Sequence, residues 1–272
     1  MSREDMGKSF VQEFVLGIAG LTRNMFLKQK CVKMKINKLF VIERYKDKER
    51  LKRYVLKAPK GLFKEEEILV KKYVKPSDKV LVVGCGTGRE IIGLKKLGIR
   101  KITGIDISPD MIREAKKLLL DTKLIVSDIN EFESKRKFDV IIFFNNIIEQ
   151  IPSFLDRKKA ILKSARLLKK RGRILLSTHS CFFYEKTPFE LIKNLFFYLL
   201  FKLHFKRDSP FEYVNEKEKI YASYSNPFTI KKIMKKVFKI RTINSKKFIL
   251  KGNQPKFFYI FDEPIYYVGE LK

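Results

Sequence analysis

The sequence predicts an α/β fold with a doubly wound, mostly parallel sheet. Short apolar runs alternate with helix-like segments through the middle of the chain, and a glycine-rich turn follows the first run. The runs are apolar throughout, which is typical of parallel strands covered by helices on both faces. The predicted strands are residues 79–83, 101–105, 123–126, 138–143 and 173–177. The predicted helices between and before them are residues 65–73, 89–97, 111–120 and 156–168.

Two further segments flank this core. Residues 1–57 are predicted to form a basic, helical N-terminal extension, and residues 58–272 the main domain. Within the main domain, residues 181–226 fit no strand–helix spacing and are predicted to be an insertion, positioned as a lid over the site. The chain then returns to a helix with Asn226 as its cap, followed by two strands. These elements are predicted at residues 227–238, 239–250 and 260–271.

The composition describes a folded and strongly basic protein. Hydrophobic residues make up 45% of the 272 residues, which excludes wholesale disorder. Lys and Arg total 60 against 30 acidic residues, a formal net charge of +30. This excess suggests an acidic partner such as RNA. It is spread over the whole chain, and the abundance of Lys, Ile and Phe without Trp also fits A-T-rich coding, so a solvated basic surface is favoured.

The cysteine pattern argues against disulfides and zinc. Cys31, Cys85 and Cys181 are odd in number and far apart, and only His179 and His204 could join them in a metal site. We therefore expect no metal and a reducing, cytoplasmic environment. No apolar run reaches the roughly 20 residues of a membrane-spanning helix, and acids near the N-terminus argue against a signal peptide.

The glycine-rich turn is the main candidate binding site. Residues 84–88 read Gly-Cys-Gly-Thr-Gly and connect the first strand to a helix. Glycines there let a ligand approach the backbone with no Cβ in the way. The spacing differs from the GxGxxG of dinucleotide enzymes, with Arg89 in place of the third glycine, and from GxxxxGK[ST] phosphate loops. A dehydrogenase is accordingly the last of the alternatives.

Two carboxylates follow the next strands in register. Asp106 ends the second strand, where a carboxylate can accept hydrogen bonds from ribose hydroxyls. Asp128 follows the third strand, where its carboxylate could accept a hydrogen bond from the exocyclic amine of an adenine. Together with the glycine turn, these acids predict a nucleoside ligand.

These motifs resemble the class I S-adenosylmethionine-dependent methyltransferases. The matching pieces are residues 80–88, 104–108, 127–129, 138–140 and 167–175. The resemblance implies a Rossmann-like, seven-stranded sheet with an antiparallel last strand, a methyltransferase activity and S-adenosyl-L-methionine as cofactor. It implies that the cofactor is held by Gly84, Cys85, Gly86, Gly88, Asp106, Ile107, Asp128, Ile129 and Asn145.

One position departs from the family pattern. An acid usually lies two residues before the first glycine, and this chain has Val82 there. The methionine end of the cofactor would then be held by backbone groups of the turn or by Glu149. Because of Val82, a non-catalytic cofactor-binding protein remains an alternative. Cys85 is expected to be a small buried hydrophobe rather than a nucleophile.

Two residues are candidates for catalysis, because reacting groups lie beyond the carboxyl ends of the strands in doubly wound sheets. Asn145 follows strand four and could orient the substrate or cofactor, or simply cap a helix. His179 follows strand five and could act as a general base, or simply hydrogen-bond a loop.

The acceptor must be inferred from the appendages. The predicted lid is rich in Phe and Tyr, which suits a small or lipophilic acceptor, although the same aromatics could form the lid's own core. The run 195–201, with flanking Lys and Arg, also has the composition of a membrane-surface segment, a weaker alternative. We therefore expect a small-molecule methyltransferase, with an RNA methyltransferase using the basic N-terminal extension as the alternative.

Overall fold

A computed structural model describes residues 38–180, 212–215, 220–252, 260 and 262–272. The chain divides after Ile36 into two compact units, and every described residue belongs to the second unit, Asn37–Lys272. The helices of residues 38–57 are therefore part of the unit that contains the sheet. The division predicted at residue 57 stays a prediction.

The central element is a seven-stranded, mostly parallel sheet. The described strands are β1 (Val80–Val83), β2 (Ile102–Asp106), β3 (Lys123–Val126), β4 (Phe138–Phe143), β5 (Leu168–Thr178), β6 (Glu212–Asn215), β7 (Ile220–Ser223), β8 (Phe238–Ser245) and β9 (Ile265–Leu271). The sheet order is β3-β2-β1-β4-β5-β9-β8. The first five strands are parallel, and β9 is antiparallel to both β5 and β8. The predicted doubly wound sheet with antiparallel strands at its end is confirmed.

Helices cover both faces of this sheet. They are α1 (Lys38–Glu43), α2 (Lys48–Lys57), α3 (Lys64–Tyr73), α4 (Arg89–Lys96), α5 (Pro109–Leu118), α6 (Phe154–Leu167), α7 (Pro227–Lys235) and α8 (Lys246–Leu250). Three 3-10 turns join them, at Arg44–Lys46, Ala58–Lys60 and Ile147–Gln150. Within the described residues, no helix is long and apolar enough to cross a membrane.

Alternation along β1 explains why the sheet has two cores. Leu81 and Val83 pack into one cluster with residues of α6 and α7. Val80 and Val82 pack into the other with residues of α3, α4 and α5. Successive strand side chains point to opposite faces, so an apolar run such as β1 must be buried twice.

Helix caps follow the sequence signals. The side chain of Ser108 accepts a hydrogen bond from the Met111 backbone N–H at the start of α5 (3.3 Å). At the start of α7, Asn226 accepts one from the Phe228 N–H (3.0 Å). The predicted Asn226 cap is confirmed, and such a cap satisfies a backbone donor that has no partner within the helix.

Three strand predictions were wrong in their bounds, including the last strand, which begins at Ile265 rather than at residue 260. β5 begins at Leu168 rather than at residue 173, because Arg171 (φ 60°) and Gly172 form a bulge within the strand instead of a turn before it. Residues 246–250 form α8 rather than the end of a strand. β9 begins at Ile265, opposite Ser245, so β8 has no partner to pair with beyond that residue.

The predicted lid lies mostly outside the described residues. Of residues 181–226, β6 and β7 pair antiparallel in a separate two-stranded sheet. The described backbone then continues through Ser223–Asn226 to the cap of α7. The segment 195–201, considered above as a membrane-surface segment, is not among the described residues.

Candidate functional site

The glycine bend after β1 adopts backbone angles that favour glycine. Gly84, Gly86 and Gly88 have φ of 65°, 52° and 98°, in the left-handed region that side chains disfavour. A Cβ at Gly84 would lie 2.6 Å from the Ile147 side chain, whereas a Cβ at Gly86 would meet no atom within 4 Å. Gly84 therefore permits close packing, and Gly86 exposes bare backbone to open space.

Asp106 holds this bend against the end of β2. Its Oδ2 accepts a hydrogen bond from the Gly86 backbone N–H and its Oδ1 accepts one from the Ser108 N–H, both at 2.8 Å. The residue is 8% exposed, and burial raises the pKa of its carboxyl group although the two N–H donors oppose the shift. Each oxygen keeps a lone pair with which to accept a further hydrogen bond.

A cavity of about 370 Å³ opens beside the bend. Five of the predicted site residues line it: Gly84, Cys85, Gly86, Asp106 and Asn145. Its volume lies within the range of small-molecule and cofactor sites. Cys85 is 1% exposed, and burial raises the pKa of its thiol, in keeping with a buried hydrophobe rather than a nucleophile.

The other four predicted cofactor residues, Gly88, Ile107, Asp128 and Ile129, do not line this cavity. Gly88 precedes α4, and a Cβ there would collide with Leu119. Ile129 is buried in the core. Ile107 packs against a small cluster formed by residues of α1, α2 and α5 and the turn between α1 and α2.

Asp128 is paired within the protein. Its Oδ2 lies 2.5 Å from Lys38 Nζ on α1, and its Oδ1 accepts a hydrogen bond from the Asn130 N–H (2.8 Å). Lys38 also contacts Glu131 at 2.5 Å. The position predicted to receive an adenine amine is thus held by a lysine ammonium.

A strained turn follows β4. Asn145 and Asn146 have φ of 54° and 56°, in the left-handed region that is uncommon for non-glycine residues and that Asn adopts more readily than most. Asn145 lines the cavity. Asn146, rather than Asn145, precedes the 3-10 turn Ile147–Gln150, and its side chain makes no capping hydrogen bond.

His179 holds this turn from the end of β5. Its Nε2 lies 2.9 Å from Asn146 Nδ2, and its Nδ1 lies 3.0 Å from Glu149 Oε2. The Asn146 backbone N–H donates to Ser177 Oγ (3.0 Å). Both ring nitrogens of His179 are therefore engaged within the protein.

Glu149 is the partner that sequence reasoning missed. Its carboxylate is almost fully buried and accepts hydrogen bonds from the His179 N–H (2.8 Å) and the Ser225 N–H (2.9 Å) as well as from the imidazole. Glu149 does not line the cavity, and the role suggested for it at the methionine end of the cofactor stays a prediction. The sequence feature that could have indicated its role as the partner of His179 is an acid among the isoleucines of residues 147–151, because a carboxylate in an apolar segment tends to be buried and paired.

The buried carboxylate of Glu149 changes the pKa of the His179 imidazole. Burial lowers the pKa of His179, but the hydrogen bond and charge of Glu149 more than offset this, and the pKa lies above its ordinary value. Burial raises the pKa of Glu149, and its three donors oppose that shift.

The N-terminal helices supply a wall that the sequence did not identify. Thr87 Oγ1 donates a hydrogen bond to the Tyr54 carbonyl of α2 (3.1 Å). Tyr45 Oη donates to Gln150 Oε1 (2.7 Å). Four basic residues of this region line the cavity: Arg44, Arg50, Arg53 and Lys57.

A buried ion cluster fixes the helix that follows the bend. Arg89 donates to Glu66 at 2.8 and 3.0 Å and to Glu90 at 2.6 Å, and it lies over the Phe63 ring at 4.2 Å. In the sequence alone, Arg89 indicates only that the bend is not a dinucleotide motif. Its two carboxylates could not be assigned to it because one comes from α3, outside the motif.

A comparison with known families identifies the architecture. Residues 74–242 match a family model described as "Methyltransferase domain". The chain belongs to this family. It is a class I S-adenosylmethionine-dependent methyltransferase domain, and the cofactor of the family is S-adenosylmethionine.

Curated relatives of this methyltransferase share only part of their length with it. Over 117 residues it is 34% identical to malonyl-[acyl-carrier protein] O-methyltransferase of Anoxybacillus flavithermus, a match that covers 40% of this chain and 42% of the relative. It is 29% identical over 118 residues to ribosomal protein L11 methyltransferase of Acetivibrio thermocellus, covering 40% of this chain and 38% of the relative. The chain thus spans less than half the length of these relatives.

Solved structures share the fold. A methyltransferase of Methanosarcina mazei described as SAM-dependent aligns with a TM-score of 0.56 at 16% identity, covering 78% of this chain and 98% of that one. At this identity the likeness concerns the architecture alone.

Two features of the cavity fit the cofactor of the family. The unobstructed backbone at Gly86 leaves room where a side chain would otherwise project. The Asp106 carboxylate, already oriented by two N–H donors, has lone pairs left for ribose hydroxyls. The Lys38–Asp128 pair does not fit in the same way, because the ammonium lies where the adenine amine was predicted.

Proposed function

We propose that this protein transfers a methyl group from S-adenosylmethionine to a small-molecule acceptor bound in the cavity beside residues 84–86. The observation that carries the proposal is the bare backbone at Gly86 facing a cavity of about 370 Å³, with the Asp106 carboxylate fixed against it. A bend without a side chain at this position lets a ligand lie directly against the backbone.

When bound, S-adenosylmethionine supplies a methyl group activated by the positive charge on sulfur, so catalysis consists mainly of alignment and exclusion of water. Asp106 would hold the ribose hydroxyls, and the Gly84–Gly86 backbone would hold the methionine end. Ile147, packed on Gly84, and Phe63 supply apolar walls that exclude water.

Asn145 is proposed to orient the acceptor or the cofactor at the end of β4. It lines the cavity from a strained turn, and a strained backbone persists only where neighbouring contacts hold it. Ser177 and His179 provide those contacts through Asn146.

For His179, the geometry favours a positioning role over a general base. A base must have a nitrogen free to accept the proton of the acceptor, and here Nδ1 contacts Glu149 while Nε2 contacts Asn146. In-line transfer from a sulfonium does not require a dedicated base.

The proposal is tested by incubating the protein with methyl-labelled S-adenosylmethionine and separate small-molecule, lipid, RNA and protein fractions of a cell extract. We expect label in the small-molecule fraction. Label in the protein fraction would indicate a protein acceptor, as the name of the ribosomal protein L11 methyltransferase implies for that relative. Label in the lipid fraction would indicate a lipophilic acceptor. No label in any fraction, with cofactor binding intact, would favour the non-catalytic alternative motivated by Val82.

An RNA methyltransferase is the second candidate, favoured by the net charge of +30. It predicts label in the RNA fraction and an affinity for RNA that falls steeply with salt. Salt-independent or undetectable RNA binding would remove this candidate.

A further inference from the structure

One wall of the cavity is lined by a set of cations, which we call the cationic wall: Arg44, Arg50, Arg53 and Lys57. Three of them lie on α2 at positions i, i+3 and i+7, a spacing that places them on one face of the helix. Arg44 comes from the preceding 3-10 turn. The sequence pattern alone showed only a basic segment, and the fold gathers these charges into one concave space.

The carboxylates of the cavity do not neutralise this wall. Glu90 pairs with Arg89 (2.6 Å), and Asp106 is engaged by backbone N–H groups. Within the part of the chain that the structure describes, no carboxylate forms an ion pair with Arg44, Arg53 or Lys57.

Arg44 also has a donor that lacks an acceptor. Its Nε is buried and has no hydrogen-bond partner among the described residues. In folded proteins a buried donor without an acceptor is uncommon, which points to a group from outside the described chain that completes the surroundings of this guanidinium.

The cofactor does not account for this charge. S-adenosylmethionine carries one carboxylate against a sulfonium and an ammonium, so it brings net positive charge to a cavity that is already positive. Its single carboxylate can engage one guanidinium in a two-bond arrangement, so it cannot pair with both Arg44 and Arg53 in this way.

We propose that the methyl acceptor is a small anion, carrying a carboxylate or phosphate group that the cationic wall binds. The inference rests on the proposed methyl transfer and adds to it the chemical class of the acceptor. Guanidinium groups match the geometry of carboxylate and phosphate oxygens, and Arg44 and Arg53 supply two of them. Because these cations line a concave space rather than a flat face, a small molecule fits them better than an extended polymer.

The experiment separates the small-molecule extract on an anion-exchange column before incubation with the full-length protein and methyl-labelled cofactor. We expect label in the retained, anionic pool, and alkaline phosphatase treatment of that pool distinguishes a phosphate ester from a carboxylate. Label confined to the neutral or cationic pool overturns the inference while leaving the proposed transfer intact. The absence of label from every pool contradicts the proposed function itself.

Substitutions in the cationic wall then test whether its residues bind the acceptor or the cofactor. Arg44→Gln and Arg53→Gln are expected to raise the KM for the labelled acceptor at least tenfold and to leave the KM for S-adenosylmethionine within threefold. Arg53→Lys should recover part of the loss because it keeps the charge. The matched control is Lys52→Gln, which removes a charge from the same helix at an exposed position that does not line the cavity. A rise in the cofactor KM alone would assign the wall to the cofactor carboxylate and overturn the inference.

Discussion

Glu149 and His179 form a hydrogen-bonded pair beside the cavity, with the buried carboxylate accepting from both the backbone N–H (2.8 Å) and ring Nδ1 (3.0 Å) of the histidine. Through His179 Nε2 the pair reaches Asn146, whose neighbour Asn145 lines the cavity. The end of β4 is therefore held in its strained conformation by groups from the end of β5.

The Glu149–His179 pair should make stability depend on pH. The pKa of His179 is raised in the folded state by Glu149, with Glu263 a further contributor, so the folded protein holds a proton that the unfolded chain releases more readily. This stabilisation is fully present below the unfolded pKa of about 6.5 and is lost as pH rises through the higher folded value. Because the His179 side chain is 37% exposed, solvent screening keeps the effect below about 1 kcal/mol.

Denaturant unfolding of the protein and of His179→Gln, measured from pH 5.5 to 9, checks this. The free energy of unfolding should fall with rising pH more steeply in the unsubstituted protein than in the variant. Equal slopes would show that the imidazole does not hold an extra proton in the folded state.

Gly86→Ala should weaken cofactor binding in addition to destabilising the fold. The left-handed backbone at Gly86 costs a non-glycine residue about 1–2 kcal/mol, and the added Cβ projects into open space beside Asp106. We expect the affinity for S-adenosylhomocysteine, measured by calorimetry, to fall at least tenfold.

Gly98→Ala is the matched control for this change. Gly98 also has a left-handed backbone (φ 82°) with no atom within 4 Å of an added Cβ, but it does not line the cavity. The Gly98→Ala variant should lose about as much folding stability as Gly86→Ala and keep its full affinity for S-adenosylhomocysteine. An equal loss of affinity in both variants would mean that backbone strain, not the occupied space, causes the effect.

Local patterns in the sequence were sufficient to predict the sheet and the bend. β1 and β4 are continuous apolar runs, and the three glycines at residues 84–88 permit a left-handed backbone, so both are properties of a few adjacent residues. The bulge at Arg171 and the helix at Lys246–Leu250 were not predictable in this way. The bulge depends on which residues of β4 pair with β5, and the helix depends on where β9 stops pairing with β8. Pairing between strands that are far apart in the sequence leaves no local signal.

The site was predicted less completely for the same reason. Asp106 could be placed because it directly ends a strand, and it lines the cavity. The partners of His179 and Asp128 come from distant parts of the chain, Glu149 and Lys38, and only the fold brings them together.

Arg89→Leu should destabilise the protein strongly. Arg89 is 13% exposed and lies between Glu66 and Glu90, whose side chains are 1% and 7% exposed, so its removal leaves buried carboxylates without a counter-charge. Breaking such a pair by removing one partner costs about 3–5 kcal/mol. Arg241→Leu is the control, since its pair with Glu270 is more exposed and should contribute at most about 1 kcal/mol. Thermal unfolding of the two variants should separate them clearly, and similar losses would contradict the burial argument.

Lys38→Met tests whether Asp128 receives the adenine of the cofactor. In the structure Lys38 Nζ holds Asp128 Oδ2 at 2.5 Å, and the lysine side chain is 43% exposed. If the adenine amine binds Asp128, it must displace this ammonium, and a partly exposed ion pair contributes up to about 1 kcal/mol. Removing the ammonium should then raise the affinity for S-adenosylhomocysteine up to about fivefold, since 1.4 kcal/mol corresponds to a factor of ten. Lys46→Met, which removes an ammonium paired with Glu43 in the same segment, should leave the affinity unchanged. An unchanged affinity in Lys38→Met, together with full binding by Asp128→Asn, would show that the adenine lies elsewhere and that Asp128 serves only to fasten α1 to the sheet.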